Sequence, residues 1–195
     1  MLERVRLVCL RHGQAENNVA RTLGALPSAA LTPDGRLQAE AAARQWHGEP
    51  VSRVYASTAV RARQTAEYFG RDVHPVPELV EVGIGAGVDG TAAEARAAAA
   101  ETLRAWVVDR ALDERYLGGE TGREVAGRVG SALAAIAAAH PGGTVVVVGH
   151  VASLTVGLGV LCGLGAEIWG RPLPHAVPFV VERTAGQWRC PAWPA

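Results

Sequence analysis

The stretch Val5-Arg6-Leu7-Val8-Cys9-Leu10-Arg11-His12-Gly13, continuing as Gln14-Ala15-Glu16-Asn17-Asn18, governs the reading of the whole chain. Its first six residues are apolar except Arg6, the pattern of a strand covered on both faces. A guanidinium, an imidazole and a glycine then stand where the strand ends and the chain turns. In an open α/β sheet, ligands bind in the crevice at the carboxyl ends of the strands. Arginine is a fixed cation with fork geometry, and histidine carries protons or attacks as a nucleophile near neutral pH. Alone, the tripeptide is also compatible with an ordinary surface turn, so the rest of the chain must decide.

The 195 residues suit one domain, 1–195, with enough chain to bury a substantial core. Hydrophobic residues make up 49% and charged ones 19%, a globular balance. The 19 basic and 19 acidic residues cancel, so no global field attracts nucleic acid or an anionic membrane. An anion site must therefore come from a local gathering of Arg and His. Lysine is absent, so every fixed side-chain cation is arginine. Cys9, Cys162 and Cys190 are scattered without a Cys-x-x-Cys pair, against a disulfide scaffold and against a zinc site. Met1-Leu2-Glu3-Arg4 lacks a signal-peptide pattern, and a cytoplasmic protein is expected. Thr144 to Ala166 carries no fixed charge and is long enough to cross a bilayer. It breaks at Gly149-His150, however, and reads better as a buried strand, a turn and a buried helix.

Further along, Thr32 caps a helix from about Pro33 to Trp46, with proline at its first position. Val54-Tyr55-Ala56 is a short strand, followed by a helix from about Ala59 to Phe69. His74-Pro75-Val76-Pro77 fits only an edge strand, because two prolines exclude a central one. Glu78 to Gly90 reads as a glycine-rich loop. Capping boxes at Thr91-x-x-Glu94 and Thr121-x-x-Glu124 open two long helices. Pro141-Gly142-Gly143 turns the chain into Val145–Val148, and Val177–Glu182 with Gln187–Arg189 forms a closing strand pair. The expected fold is α/β: a mostly parallel central sheet with helices on both faces, and residues 91–118 as a small helical cap.

Three strands end in polar turns. The first gives Arg11-His12-Gly13, the second Ser57 followed by Arg61 and Arg63, and the Val145–Val148 strand gives Gly149-His150. In a parallel sheet these ends share one edge, and the gathered positive charge calls for an anion. A phosphate dianion fits, with Asn18 or a backbone N–H completing its hydrogen bonds. One imidazole would take the phosphoryl group while the other and the arginines stabilise its equatorial oxygens. The leaving alkoxide needs a proton from a nearby carboxylic acid, for which Glu78 and Glu81 are candidates and Asp89 a weaker one.

These residues resemble the signature of the histidine phosphatase superfamily, also called phosphoglycerate mutase-like. Arg11-His12-Gly13 with Asn18 matches its first motif, Leu31-Thr32-x-x-Gly35-x-x-Gln38-Ala39 its second, and Ser57-x-x-x-Arg61-Ala62-x-x-Thr65-Ala66 its third. Leu79-x-Glu81, Gly119-Glu120-Thr121, Val148-Gly149-His150 and the closing strands follow in the family's order. The resemblance implies that His12 is the phosphorylated nucleophile. Arg11, Arg61 and His150 would form the phosphate pocket, with a hydrogen bond from Asn18. Glu81 would donate the proton and then activate water. Neither a metal nor an organic cofactor is implied. Arg63 is expected to face solvent or to pair with Glu67.

Three departures stand out. Ser28 stands near a place where the family often has aspartate, Val151-Ala152 replaces a Gly-Gly pair, and Val82-Gly83-Ile84-Gly85 lacks the usual aromatic after the acid. The resulting expectation is a metal-independent phosphomonoester hydrolase acting on a small phosphorylated metabolite. Its rivals are a phosphoglycerate mutase, disfavoured by the short, alanine-rich 91–118 segment, and a silent phosphate-binding module. A cap with little charge points to an apolar-bodied ester or modest selectivity. Trp106, Tyr116 and Trp169 are read as core rather than as pocket lining. No nucleic-acid or membrane partner is expected, and a homodimer is compatible with the sequence.

Overall fold

The computed structural model describes residues 4–70 and 72–194. Six strands form one sheet: β1 (Arg4–Arg11), β2 (Arg53–Ser57), β3 (Val73–Val76), β4 (Thr144–Gly149), β5 (Phe179–Thr184) and β6 (Gln187–Arg189), in the order β3-β2-β4-β1-β5-β6. The first four positions are mutually parallel, while β5 and β6 run antiparallel at the far side. The sheet is thus mixed, and mostly parallel where the polar turns lie. β3 is the edge strand its prolines require.

The helices are α1 (Glu16–Val19), α2 (Pro33–Gln45), α3 (Val60–Ala66), α4 (Ala93–Arg104), α5 (Gly122–Ala139) and α6 (Val151–Leu161). Side chains alternate across a strand, and both central strands bury both sets. Leu7, Cys9, Val145 and Val147 pack in one cluster with Val125, Val129 and Leu133 of α5 and Leu154 and Leu158 of α6. Val8, Leu10, Val146 and Val148 pack on the other face with Ala42 of α2 and Ala62 and Ala66 of α3. The small residues on α2 and α3 bring those helices close to the sheet.

The charge-free stretch 144–166 resolves into β4, a turn at His150 and α6; no described helix is long and apolar enough to cross a membrane. Thr32 caps α2 by accepting from Gly35 N at 3.0 Å, and Thr121 and Glu124 form their reciprocal capping box. The box expected at Thr91 does not form. The Thr91 hydroxyl and N–H both bond Asp89 Oδ1, at 2.6 and 2.9 Å, so α4 begins at Ala93 without a side-chain cap. A local turn outcompetes the helix start. α4 runs on into a π-turn, Ala105–Asp109, and this pair provides the helical element expected within 91–118.

Two glycines fix how the site is assembled. A Cβ on Gly13 would lie 2.4 Å from Gly35 O, and one on Gly35 would lie 1.9 Å from Gln14 O. The turn after β1 therefore rests directly on the backbone of α2's first turn. Gln38 and Thr32 tie the contact down, accepting from Gln14 N at 2.8 Å and donating to Gln14 Oε1 at 2.9 Å. We predict that Gly35→Ala lowers stability by about 3 kcal/mol or more in urea denaturation, as overpacking against backbone demands. Gly127→Ala, in an open position on α5, should instead stabilise by about 0.5–1 kcal/mol. Equal effects at the two sites would refute the close-contact account.

Candidate active site

The carboxyl ends of β1, β2 and β4 meet on one edge and surround a cleft of about 370 Å³. Arg11, His12, Asn18, Arg61 and Glu81 all line it. His12, only 2% exposed, sits at the cleft floor. Its Nδ1–H donates to the Gly13 carbonyl at 2.7 Å, which leaves the Nε2 lone pair as the free-electron end of the ring. Arg61 Nε–H donates to that Nε2 at 3.1 Å.

Arg61 is 1% exposed and ties the site together. Its Nη1 donates to Leu26 O at 2.7 Å, and its Nη2 to Ala25 O at 3.0 Å and to His150 Nδ1 at 3.2 Å. Because His150 Nδ1 accepts, its Nε2–H donates, to Ser57 Oγ at 2.7 Å. The two rings meet edge to face with centroids 5.1 Å apart. His150 is fully buried and does not line the cleft. It packs against His12 and Arg61, the groups with which the resemblance placed it.

Burial holds His12 well below the ordinary imidazole value, and the nearby Arg61 and Arg11 charges push the same way. His150 is held low by burial, then by His12 and the arginines. Both rings are therefore neutral at pH 7. Burial brings the Arg11 guanidinium down to about 10, with Glu81 opposing and Arg61 reinforcing the shift. Arg11 Nη1 donates to Leu173 O at 3.1 Å, while its Nε is buried with no partner among the described residues. An unpaired buried donor on an anion-suited cleft wall is costly without a ligand.

Glu81 crosses from the loop to the first turn of α6. Its Oε1 accepts from Val82 N at 3.0 Å and Ser153 N at 2.9 Å, and its Oε2 from Ala152 N at 3.3 Å. Val151 and Ala152 line the cleft, and the Ala152 N–H helps hold the acid. Asn18 holds the start of α1 and lines the cleft. Its Oδ1 accepts from Ala15 N at 2.9 Å, so its amide NH₂ is the end left for a ligand. Glu78 borders a separate hollow beside Tyr55, and Asp89 is exposed on its Thr91 turn, so neither lines this cleft. Arg63 is exposed, with no ion pair to Glu67 among the described residues.

Several lining residues had no sequence signal. His175 lies 5.9 Å from the His12 ring, centroid to centroid, and its Nδ1–H donates to His12 O at 3.2 Å. Burial, then the Arg11 charge, brings it down to about 4. It belongs to no motif; only the docking of β5 beside β1 could have located it. Tyr116, expected as core, is buried yet lines the cleft near Val82, where the acid loop lacks an aromatic of its own. Trp106 is core as expected, whereas Trp169 is 37% exposed and belongs to neither class. The outer wall also carries Arg21 and, from α4, Arg96. The helical wall is therefore not the weakly charged cap that was expected.

A family model for the histidine phosphatase superfamily, branch 1, matches residues 7–195. The chain belongs to that superfamily. Among similar solved structures, "Mycobacterial hydrolase 2" shares 29% identity over 100% of this chain and 92% of its own, with a TM-score of 0.82. The mycobacterial glucosyl-3-phosphoglycerate phosphatase, solved with VO3, shares 26% identity over 99% of each chain, TM-score 0.78. The alpha-ribazole phosphatase from Shigella flexneri shares 22% over 97% of this chain and 96% of its own, TM-score 0.76, which speaks for the fold alone. No curated protein matches the chain by sequence. The superfamily and the phosphatases among its neighbours support a phosphatase enzyme.

The buried imidazoles carry a stability cost with a definite sign. His12 and His150 are neutral in the folded chain and regain an ordinary value of 6.5 on unfolding. Below about pH 6.5 the unfolded chain binds more protons, so stability falls with pH, by about 1.4 kcal/mol per pH unit for each ring. Thermal melts from about pH 7.5 to 5 should show Tm constant at the upper end and falling steeply below about pH 6. A flat profile across that window would contradict neutral buried rings.

Proposed function

We propose that this superfamily member is a metal-independent phosphomonoester hydrolase working through a phosphohistidine at His12. The observation that carries the reading is the His12 ring: neutral, its proton fixed on Nδ1 by the Gly13 carbonyl, its Nε2 lone pair at the cleft floor beside the Arg61 guanidinium, in a cleft that Arg11 also lines. Such a nitrogen needs no base to activate it.

Attack requires the lone pair, so the Arg61 Nε–H donor passes from Nε2 to a phosphoryl oxygen as the ester enters. Arg11 Nε supplies a second donor and the Asn18 amide a third. In the first step the Nε2–P bond forms as the P–O ester bond breaks. The leaving oxygen takes a proton from the Glu81 carboxyl, for which Oε2, held by one long bond, is the freer atom. In the second step the Glu81 carboxylate accepts a proton from water as its oxygen attacks phosphorus. The P–N bond breaks, phosphate leaves, and His12 and Glu81 return to their starting forms. His150 acts from behind, through Arg61, by keeping that guanidinium aimed at His12.

Arg21 and Arg96 concern the rest of the ester. Neither forms an ion pair among the described residues, and both lie on the cleft wall. With Arg11 and Arg61 they set four fixed positive charges against the single carboxylate of Glu81 in the lining. That excess favours an ester carrying a second negative group over an apolar-bodied one.

A panel of phosphate esters incubated in chelator, with free phosphate followed over time, tests the reading. The wild-type chain should release phosphate without added metal, and His12→Ala should lower kcat/KM by at least about 10³-fold. Metal-dependent release would overturn the mechanism, isomerisation of phosphoglycerate without release would indicate a mutase, and binding without turnover a silent module. Within the panel, Arg96→Ala should raise KM about tenfold for esters with a second anionic group, roughly one charge-assisted hydrogen bond, while leaving esters without one unchanged. A uniform effect would remove Arg96 from substrate recognition.

A further inference from the structure

Glu81 must present its carboxyl to a leaving oxygen, yet it belongs to a glycine-rich loop with little regular structure of its own. What holds it lies outside the cleft. Arg128, on α5, spends all of its N–H groups on that loop and on one carboxylate. Its Nη1 donates to Glu78 O at 2.7 Å and to Val80 O at 2.8 Å, and its Nη2 to Glu81 O at 3.3 Å. Its Nε and Nη2 also grip Glu120, at 2.7 Å to Oε1 and 2.9 Å to Oε2. Glu120 completes the strap, its Oε2 accepting from Gly83 N at 2.8 Å. The guanidinium thus fastens the backbone before and at Glu81, and its partner carboxylate fastens the backbone two residues after it.

Several features set this apart from an ordinary surface ion pair. The Arg128 and Glu120 side chains are 18% and 29% exposed, and the contact is the two-pronged guanidinium–carboxylate geometry that gives direction as well as strength. The loop is also pressed against the segment before α5. Glu120 N donates to Gly83 O at 3.3 Å and Gly85 N to Leu117 O at 3.0 Å, and a Cβ on Gly119 would fall 2.0 Å from Gly83 O. At the other end, the Glu81 carboxylate rests on Ala152 N and Ser153 N of α6. Glu81 is therefore suspended between two helices, backbone from α5 and carboxylate from α6. Neither Arg128 nor Glu120 lines the cleft.

We infer that Arg128 and Glu120 are positioning residues for the general acid: through the loop backbone they fix where the Glu81 carboxyl stands relative to the leaving oxygen. The inference rests on the role proposed for Glu81. Misplacing a proton donor by about 1 Å costs on the order of 10²-fold when the step needs it, and general acid catalysis is itself worth about 10²–10⁴-fold. The loss should therefore follow the leaving group's need for a proton, which loss of a merely structural ion pair would not produce.

The test compares two aryl phosphates of similar size, 4-nitrophenyl phosphate, whose phenolate leaves readily, and 4-methoxyphenyl phosphate, whose phenolate needs protonation. The quantity is kcat/KM, which reports the steps through phosphoryl transfer to His12. Arg128→Ala should lower it about 100-fold for the methoxy ester and no more than about threefold for the nitro ester. Glu120→Gln, the milder change, should show the same bias at smaller size and carries the test if Arg128→Ala does not fold. Equal losses on the two esters, or none, would overturn the positioning role. Glu81→Gln supplies the reference: if its own losses are equal on both esters, the acid role of Glu81 fails, whereas a biased Glu81→Gln beside unbiased Arg128 and Glu120 variants rejects the strap alone.

Discussion

A buried guanidinium with no carboxylate bonded to it is the constraint on which the site depends. Arg61 finds its partners in two carbonyl oxygens and two imidazole lone pairs. A cation at that depth can be tolerated only if every group it touches is an acceptor, so His12 and His150 must both be neutral. Each ring's remaining proton is then fixed, on Nδ1 of His12 toward Gly13 and on Nε2 of His150 toward Ser57. One arginine thereby settles the protonation and tautomer of both histidines. It also pins the loop carbonyls at Ala25 and Leu26, where Leu26 holds a left-handed φ of 35°. A residue forced into that region marks strain that the surrounding bonds must offset.

The rest of the architecture delivers these groups to one place. Three parallel strands bring Arg11-His12, Ser57 and His150 to a common edge, and the Gly13–Gly35 contact sets the height of the first turn above α2. The motif residues without a chemical part of their own have structural ones. Gln38 accepts from Gln14 N, and Thr65 Oγ1 accepts from Gly13 N while donating to Arg61 O; Gln64, between the motif positions, accepts from Leu31 N. The spacing of the motifs in this chain thus reflects a framework of backbone bonds around the cleft as much as the reacting groups themselves.

Most of this was legible because local signals and sheet geometry agree. Apolar runs located β1 and β4, proline pairs placed β3 at an edge, and polar strand ends named Arg11, His12, Arg61 and His150. Where the reading failed, a contact across the chain or a competing local bond decided the outcome. Thr91 lost its capping role to Asp89 two residues away. Tyr116 belongs to the core as expected and lines the cleft as well, because burial and cleft lining are not exclusive for a large amphipathic ring. His175 comes from a segment whose sequence says nothing about the cleft, and Arg96 from the segment read as a weakly charged cap; tertiary packing brings both to the cleft wall. His150 was correctly gathered with His12, but its burial behind Arg61 follows from packing that no motif encodes.

The central claim is that His12 attacks through Nε2, because Nδ1 is committed to the Gly13 carbonyl. The most direct measurement is to quench turnover of a phosphate ester in alkali, where phosphohistidine survives, and to locate the phosphoryl group by peptide mass spectrometry and by the ³¹P shift that separates the two ring isomers. The account predicts one phosphoryl group, on His12, bonded to Nε2. A phosphoryl group on Nδ1, on His150 or on His175, or turnover with no phosphorylated residue, would contradict it.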